Sequence, residues 1–298
     1  MTPTPPPGPH HRIRTAFTTA GVTGQLYATD IDNGTDIGIH PDTPAPTASL
    51  HKLCLVATLY RHAAQGRLDL TTPIDIPATP RTPGSTGLSV MHDPARLSLR
   101  DLAALTIAVS DSAAADTLWD HLGQDTVNAT MAELGLTHTI AVHPMRDLYA
   151  RMAHDAGDHG PTALTDPTTV ARLSVLHPQH TNRSTPRDIA TLLAAIWRDE
   201  VCDGPTATAL RHTLGLQTWH HRLASGFPFD DVRVSGKTGT LPTLRHEAGV
   251  VEYPDGGRYA VAVFTRAAST AATLPAADAV IGTTARIAID ALRTPGHD

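Results

Sequence analysis

TASLHKLCLVATLY, residues 47–60, sets a serine and a lysine three positions apart at the head of a run that is apolar nearly all round. Leu50, Leu53, Cys54, Leu55, Val56, Ala57, Leu59 and Tyr60 leave no polar stripe, which is the pattern of a core helix rather than a surface one. Residues three apart on a helix share a face, so Ser49 and Lys52 are able to touch. Burial disfavours a charged ammonium and turns Lys52 toward a base. Ser49 stands at the helix N-terminus, where unpaired backbone N–H groups favour developing negative charge. The competing reading is an N-cap serine beside a snorkelling lysine, and an isolated Ser-x-x-Lys does not separate the two.

Composition bears on that choice. The 298 residues include 23 Lys and Arg, yet only Lys52 and Lys237 are lysines. Arginine stays protonated in proteins, whereas a buried lysine can lose its proton. A coding bias toward arginine would make lysine scarce, but it would not choose which two remain. The second lies in Ser235-Gly236-Lys237-Thr238-Gly239. This distribution is the one expected if both amines serve proton chemistry.

A chain of this length with 41% hydrophobic residues can bury a sizeable core, as one large domain or two interleaved subdomains. The net charge of −6 and the scattered arginines argue against a nucleic-acid groove or an anionic membrane surface, leaving a small-molecule partner. The opening MTPTPPPGPHHRIRTAF has no apolar signal segment, so a cytoplasmic location is expected, with Cys54 and Cys202 as unpaired thiols. Among the 18 histidines, the adjacent pairs His10-His11 and His220-His221 do not converge on one metal, and no HExxH or CxxC occurs. No metal or cofactor is expected, and the sequence specifies no oligomeric state.

Taken in order, residues 1–9 read as a proline-rich tail, followed by a helix over about 11–20. Strands 25–30 and 36–40 flank the turn Asp32-Asn33-Gly34, and Gly66 closes the Ser49 helix. Residues 73–94 read as loop. Helices are expected over 99–109 and 113–122, broken by Ser110-Asp111-Ser112, where either serine or aspartate could serve as an N-cap. Residues 137–186 read as a long loop over a mixed segment. Helices over 187–201 and 206–223 come next, then a strand edge through Lys237-Thr238-Gly239-Thr240. Strands 248–253 and 259–265 flank Pro254-Asp255-Gly256-Gly257, and a closing helix spans about 276–292. This predicts an α+β fold in which an antiparallel sheet of about five strands, drawn from both termini, is flanked by helices. A mainly helical subdomain, 67–225, is expected to be inserted into an α/β subdomain of 10–66 plus 226–298, with the active site between them.

Three motifs stand in sequence: Ser49-Leu50-His51-Lys52, Ser110-Asp111-Ser112 and Lys237-Thr238-Gly239. With GVTGQLYATDIDNG, STPRDIA and HEAGVVEYPDGGRYAVAVFTR, they make the chain resemble the class A β-lactamase-like serine hydrolases, kin of penicillin-binding proteins, from about Gly21 to Leu292. The resemblance implies that Ser49 is the acylated nucleophile and that Lys52 helps take its proton. It implies that Ser110 relays a proton to the leaving group, while Lys237 holds Ser110 and attracts a substrate carboxylate. The backbone N–H groups of Ser49 and Thr240 would form the oxyanion hole. Thr238, Gly239 and Thr240 would present a strand edge to an acyl-amide substrate, Gly239 by leaving room for it, with Ser112 and Arg245 as further substrate contacts.

Two positions depart from the family pattern. Ser112 stands where asparagine is usual. The deacylating glutamate expected shortly before Ser184-Thr185-Pro186 is missing, since the four glutamates are Glu133, Glu200, Glu247 and Glu252. Asp155, Asp158, Asp166, His154, His159, His177 and His180 are candidate substitutes. The leading expectation is therefore a serine hydrolase or acyltransferase that forms an acyl-Ser49 intermediate with an amide, ester or β-lactam. Its alternatives are a working β-lactamase with another base, or a non-catalytic binding or sensor protein on the same fold.

Overall fold

The computed structural model describes residues 7–294, with backbone alone for 158–161. Residues 1–6 of the expected tail and the side chains of Asp158 and His159 lie outside the described residues. Helix α1 (Pro9–Thr19) begins two residues earlier than expected because Pro9 takes the first helical position, where its missing N–H would have had no partner anyway. Strands β1 (Val22–Asp30), β2 (Asp36–Ile39) and β3 (Ala45–Pro46) lead through a 3₁₀ turn at Ala48–Leu50 into α2 (His51–Ala64).

The segment expected as loop after Gly66 contains β4 (Pro73–Ile76), which pairs antiparallel with β5 (Ala95–Ser98), Ile74 opposite Leu97. Its partner lies twenty residues away along the sequence, so local composition hides the strand. Helices α3 (Leu99–Ala108), α4 (Ser112–Leu122) and α5 (Gln124–Glu133) follow. The segment 137–186 is more helical than expected, holding α6 (Met145–Ala156) and α7 (Pro167–Val170) before β6 (Arg183–Ser184). The start of α6 is capped from outside: Asp116 of α4 accepts the N–H groups of Met145 at 2.7 Å and Arg146 at 2.8 Å. A cap supplied by another helix leaves no local signal.

Helix α8 (Pro186–Trp197) is shorter than expected, and α9 (Gly204–Leu214) stops well before Leu223. Residues 215–223 form a loop instead, since their polar groups find partners on other elements: Thr218 donates to Ala108 O, and Leu223 N–H to the Glu247 carboxylate. Strands β7 (Arg233–Leu241), β8 (Leu244–Glu252) and β9 (Arg258–Ala267) and helix α10 (Pro275–Arg293) complete the chain.

The expected sheet is present, five antiparallel strands in the order β2-β1-β9-β8-β7, with β1 and β9 from opposite ends of the chain paired from Val22–Ala267 to Asp30–Tyr259. Alternate side chains of β9 face opposite ways. Ala260, Ala262 and Phe264 join the core of α2 and α8, while Val261 and Val263 join that of α1 and α10. Residues 51–60 of α2 are all buried, as the apolar run at its head requires. Among the described residues no helix is long and apolar enough to cross a membrane.

Close packing of α10 on the loop below the site depends on Gly282. A Cβ there would lie 2.5 Å from Arg222 O and 2.6 Å from Gly226 N. Gly282→Ala should lower stability by about 1–3 kcal/mol in urea unfolding; an unchanged midpoint would mean the loop is not held in this way.

Candidate active site

Ser49 is positioned from three sides. Thr47 donates through both N–H and Oγ1 to Asn182 O, at 2.9 and 3.0 Å. His246 on β8 accepts the Thr265 N–H on Nδ1 and so presents Nε2–H to Pro46 O at 3.0 Å. Burial pushes His246 down to about 3, which keeps it neutral for that role. The turn itself is tight, with Ala48 at φ 49°, and it packs on β7 where Gly239 has no side chain. A Cβ on Gly239 would lie 2.8 Å from Thr47 O and 3.2 Å from Leu50 Cγ. The glycine therefore makes room for the serine's own turn, a use that the strand-edge expectation did not include.

One helical turn on, Lys52 is fully buried. Its Nζ donates to Ser110 O at 2.7 Å, Ser110 Oγ at 3.3 Å and Ser112 Oγ at 3.4 Å. Ser110 meets it with both carbonyl and hydroxyl because its backbone is left-handed, φ 57°, a conformation costly for a residue with a Cβ. Asp111 holds that turn: fully buried, it caps α4 through the N–H groups of Ala113 and Ala114 and also accepts from Leu88 N and Ser89 Oγ. The Ser-Asp-Ser break thus supplies both an N-cap and two site hydroxyls. Burial pushes Lys52 down to about 8, against the opposing pull of Asp111 and Asp116.

Lys237 is also fully buried, on β7, donating to Thr238 O at 2.9 Å. Burial, then the charge of Lys52, drive its pKa well below the usual lysine value, while Glu247 opposes them. The Thr238 N–H points off the sheet edge to Gln217 Oε1 at 2.7 Å. By the two-residue period of a strand, the Thr240 N–H faces the same open edge.

These groups border a cleft of about 290 Å³ whose lining includes Ser49, Ser110, Ser112, Thr238 and Thr240. The far walls add Tyr149 of α6 and, from the loop 215–223, Trp219, His221 and Arg222. Sequence reasoning missed these four. Arg245 does not line the cleft: its guanidinium is taken by the carbonyls of Leu241, Leu244 and Ala272 and lies 3.6 Å from Asp278. Arg222 holds the place expected of it, bound to Thr240 Oγ1 at 2.8 Å and Gly239 O at 3.0 Å, with Asp278 behind at 2.7 Å.

The candidate bases His154, Asp155, Asp166, His177 and His180 do not line the cleft either. Asp155 accepts from Ser174, and Asp166 caps α7. A larger hollow, about 640 Å³, lies beside α4 and β4, but its arginines are spent on Asp120 and on loop carbonyls. Among the described residues no three His, Cys, Asp or Glu stand close enough together to hold a metal.

A family model described as the β-lactamase enzyme family matches residues 9–292. The chain belongs to that family. It is 35% identical to a β-lactamase regulatory protein, BlaB, of Streptomyces cacaoi, over 94% of this chain and 96% of the relative. The β-lactamase structure of Sphaerobacter thermophilus is similar at 27% identity, covering 96% of this chain and 99% of that one with a TM-score of 0.78. The fold is shared at lower identity with a β-lactamase of Chitinophaga pinensis (22%, 96% and 99% covered, TM-score 0.80) and with PBP-A (21%, 97% and 99% covered, TM-score 0.77). The chain is thus a β-lactamase-like serine hydrolase by family and fold.

Because the chain has two lysines, lysine labelled with ¹³C at Cε should show two NMR resonances, both titrating below 10.5 and that of Lys52 at about 8. Between those values the unfolded chain binds more protons than the folded one, so stability should rise with pH relative to Lys52→Met, by on the order of 3 kcal/mol. Two midpoints near 10.5 would refute the buried site.

Proposed function

We propose that Ser49 takes an acyl group from an amide, ester or β-lactam carbonyl and passes it slowly to water or readily to another nucleophile. Lys52, one turn away and with its affinity for protons lowered, receives the Ser49 proton. Ser110, bonded to the same amine, returns that proton to the leaving nitrogen or oxygen, with Lys237 supporting it from β7. The N–H groups of Ser49 and Thr240 receive the carbonyl oxygen as it becomes an oxyanion, where one donor is worth roughly 10²–10³ in rate. Arg222 and the hydroxyls of Thr238 and Thr240 form the end suited to a substrate carboxylate, with Lys237 buried nearby.

The observation that carries this reading is the cleft's inventory. Hydroxyls, one histidine and one arginine line it, with two lysines buried nearby, and among the described residues no aspartate or glutamate does. Acylation therefore has its groups, while no described carboxylate stands ready to activate water. The regulatory name of the Streptomyces cacaoi relative favours a second reading of the same chemistry, in which the long-lived acylated protein is itself the signal.

Incubation with benzylpenicillin or a fluorophosphonate should add one acyl or phosphonyl mass on the intact protein, and Ser49→Ala should abolish it. No adduct with either reagent would end this reading, and rapid nitrocefin turnover would select an ordinary β-lactamase instead. The acylation rate should climb with pH and level off above about 8, because Lys52 accepts a proton only once it has lost its own. A flat profile between pH 6 and 9 would remove Lys52 as the base.

A further inference from the structure

Ser112, which stands where the family resemblance expects asparagine, meets a residue of the segment in which the resemblance expects the deacylating glutamate. Ser112 Oγ lies 3.2 Å from Tyr149 Oη and 3.4 Å from Lys52 Nζ. Among the described residues, Tyr149 is also the one side chain from the segment 137–186, the segment expected to carry the glutamate, that lines the Ser49 cleft. We propose that Tyr149 is a catalytic residue of the second half-reaction, handing the acceptor's proton through Ser112 to Lys52.

The placement is built rather than incidental. Ser112 and Asp116 sit one turn apart on α4, and Asp116 seats the first turn of α6 by taking the N–H groups of Met145 and Arg146. Tyr149 stands one turn further along α6, so the cap that anchors the helix also fixes the phenol over Ser112. Burial raises the Tyr149 pKa above the usual phenol value, with the Ser112 hydrogen bond opposing. The phenol therefore stays protonated near neutrality and serves as a relay rather than a base. Lys52 is the base at the end of the chain, and hydrogen bonds of this length in an unliganded site tighten when the reacting groups are bound.

The step balances. An acceptor H–X attacks the acyl carbonyl of Ser49 and forms the C–X bond. Its proton moves to Tyr149 Oη while the phenolic proton passes to Ser112 Oγ and the Ser112 proton to the Lys52 lone pair. The C–O bond to Ser49 then breaks, and Ser49 Oγ recovers a proton from Lys52. Acyl-X leaves, and all three side chains end as they began.

This inference rests on the acyl-Ser49 reading, and one experiment separates the two. Benzylpenicillin adducts of wild type and Tyr149→Phe are formed, freed of excess reagent, and their decay is followed by intact mass, with and without hydroxylamine. Tyr149→Phe should acylate like wild type but lose the adduct roughly 10²-fold more slowly in buffer. Hydroxylamine, a nucleophile that needs little help from a base, should erase most of that difference. Ser112→Ala should slow decay as well, and the double variant should be no slower than the slower single one, because both cut one chain. Equal decay of wild type and Tyr149→Phe, no rescue by hydroxylamine, or additive effects would overturn the relay. No adduct on wild type would overturn the acyl-Ser49 reading and the relay with it.

Discussion

An amine held out of solvent without a carboxylate partner is the constraint around which this molecule is arranged. Lys52 is wholly buried, and its hydrogen bonds go to one carbonyl and two hydroxyls. Asp111 and Asp116 are close enough to influence its proton, but both spend their oxygens on backbone N–H groups and on the hydroxyls of Ser89 and Thr82. Uncompensated burial is what lowers the amine's proton affinity, and the surrounding secondary structure is shaped to sustain it. The left-handed turn at Ser110 exists because it aims two oxygens at that amine.

Helix α4 links the parts that meet there. Its N-cap, Asp111, secures the Ser110 turn; its first residue, Ser112, touches Lys52; and Asp116, one turn on, seats α6. Three roles from one short helix mean that the acylation groups on one side and Tyr149 on the other share a rigid support. The opposite wall is tied to the sheet. Glu247, pushed up to about 7 by burial, accepts from Gln217 Nε2 and Leu223 N, while Gln217 caps the Thr238 N–H. The loop bearing Trp219, His221 and Arg222 is thereby pinned to the strand bearing Lys237, and through Thr218 to the end of α3 just before Ser110.

Family membership leaves open what the site does. The three motifs border one cleft, and among the described residues no aspartate or glutamate lines it. The Tyr149 phenol and the Ser112 hydroxyl lie in line with Lys52.

Local sequence determined the elements whose signal is periodic or motif-bound. The all-apolar helix after Ser49, the β1–β2 turn at Asn33-Gly34 and the strands flanking the turn at Asp255-Gly256 were all legible because each depends on neighbours within a few residues. Tertiary structure alone decided the rest. The cap of α6 comes from Asp116, the loop 215–223 is held by Ala108 and Glu247, and β4 pairs with a strand twenty residues on. Arg222 and Arg245, alike in sequence, both bond interior carbonyls and lie near Asp278, and only the packed chain decides that Arg222 and not Arg245 lines the cleft. Tyr149 had no mark in the sequence, because its meaning lies in a hydrogen bond to a serine 37 residues away. Contacts of that range are fixed only when the whole chain has packed.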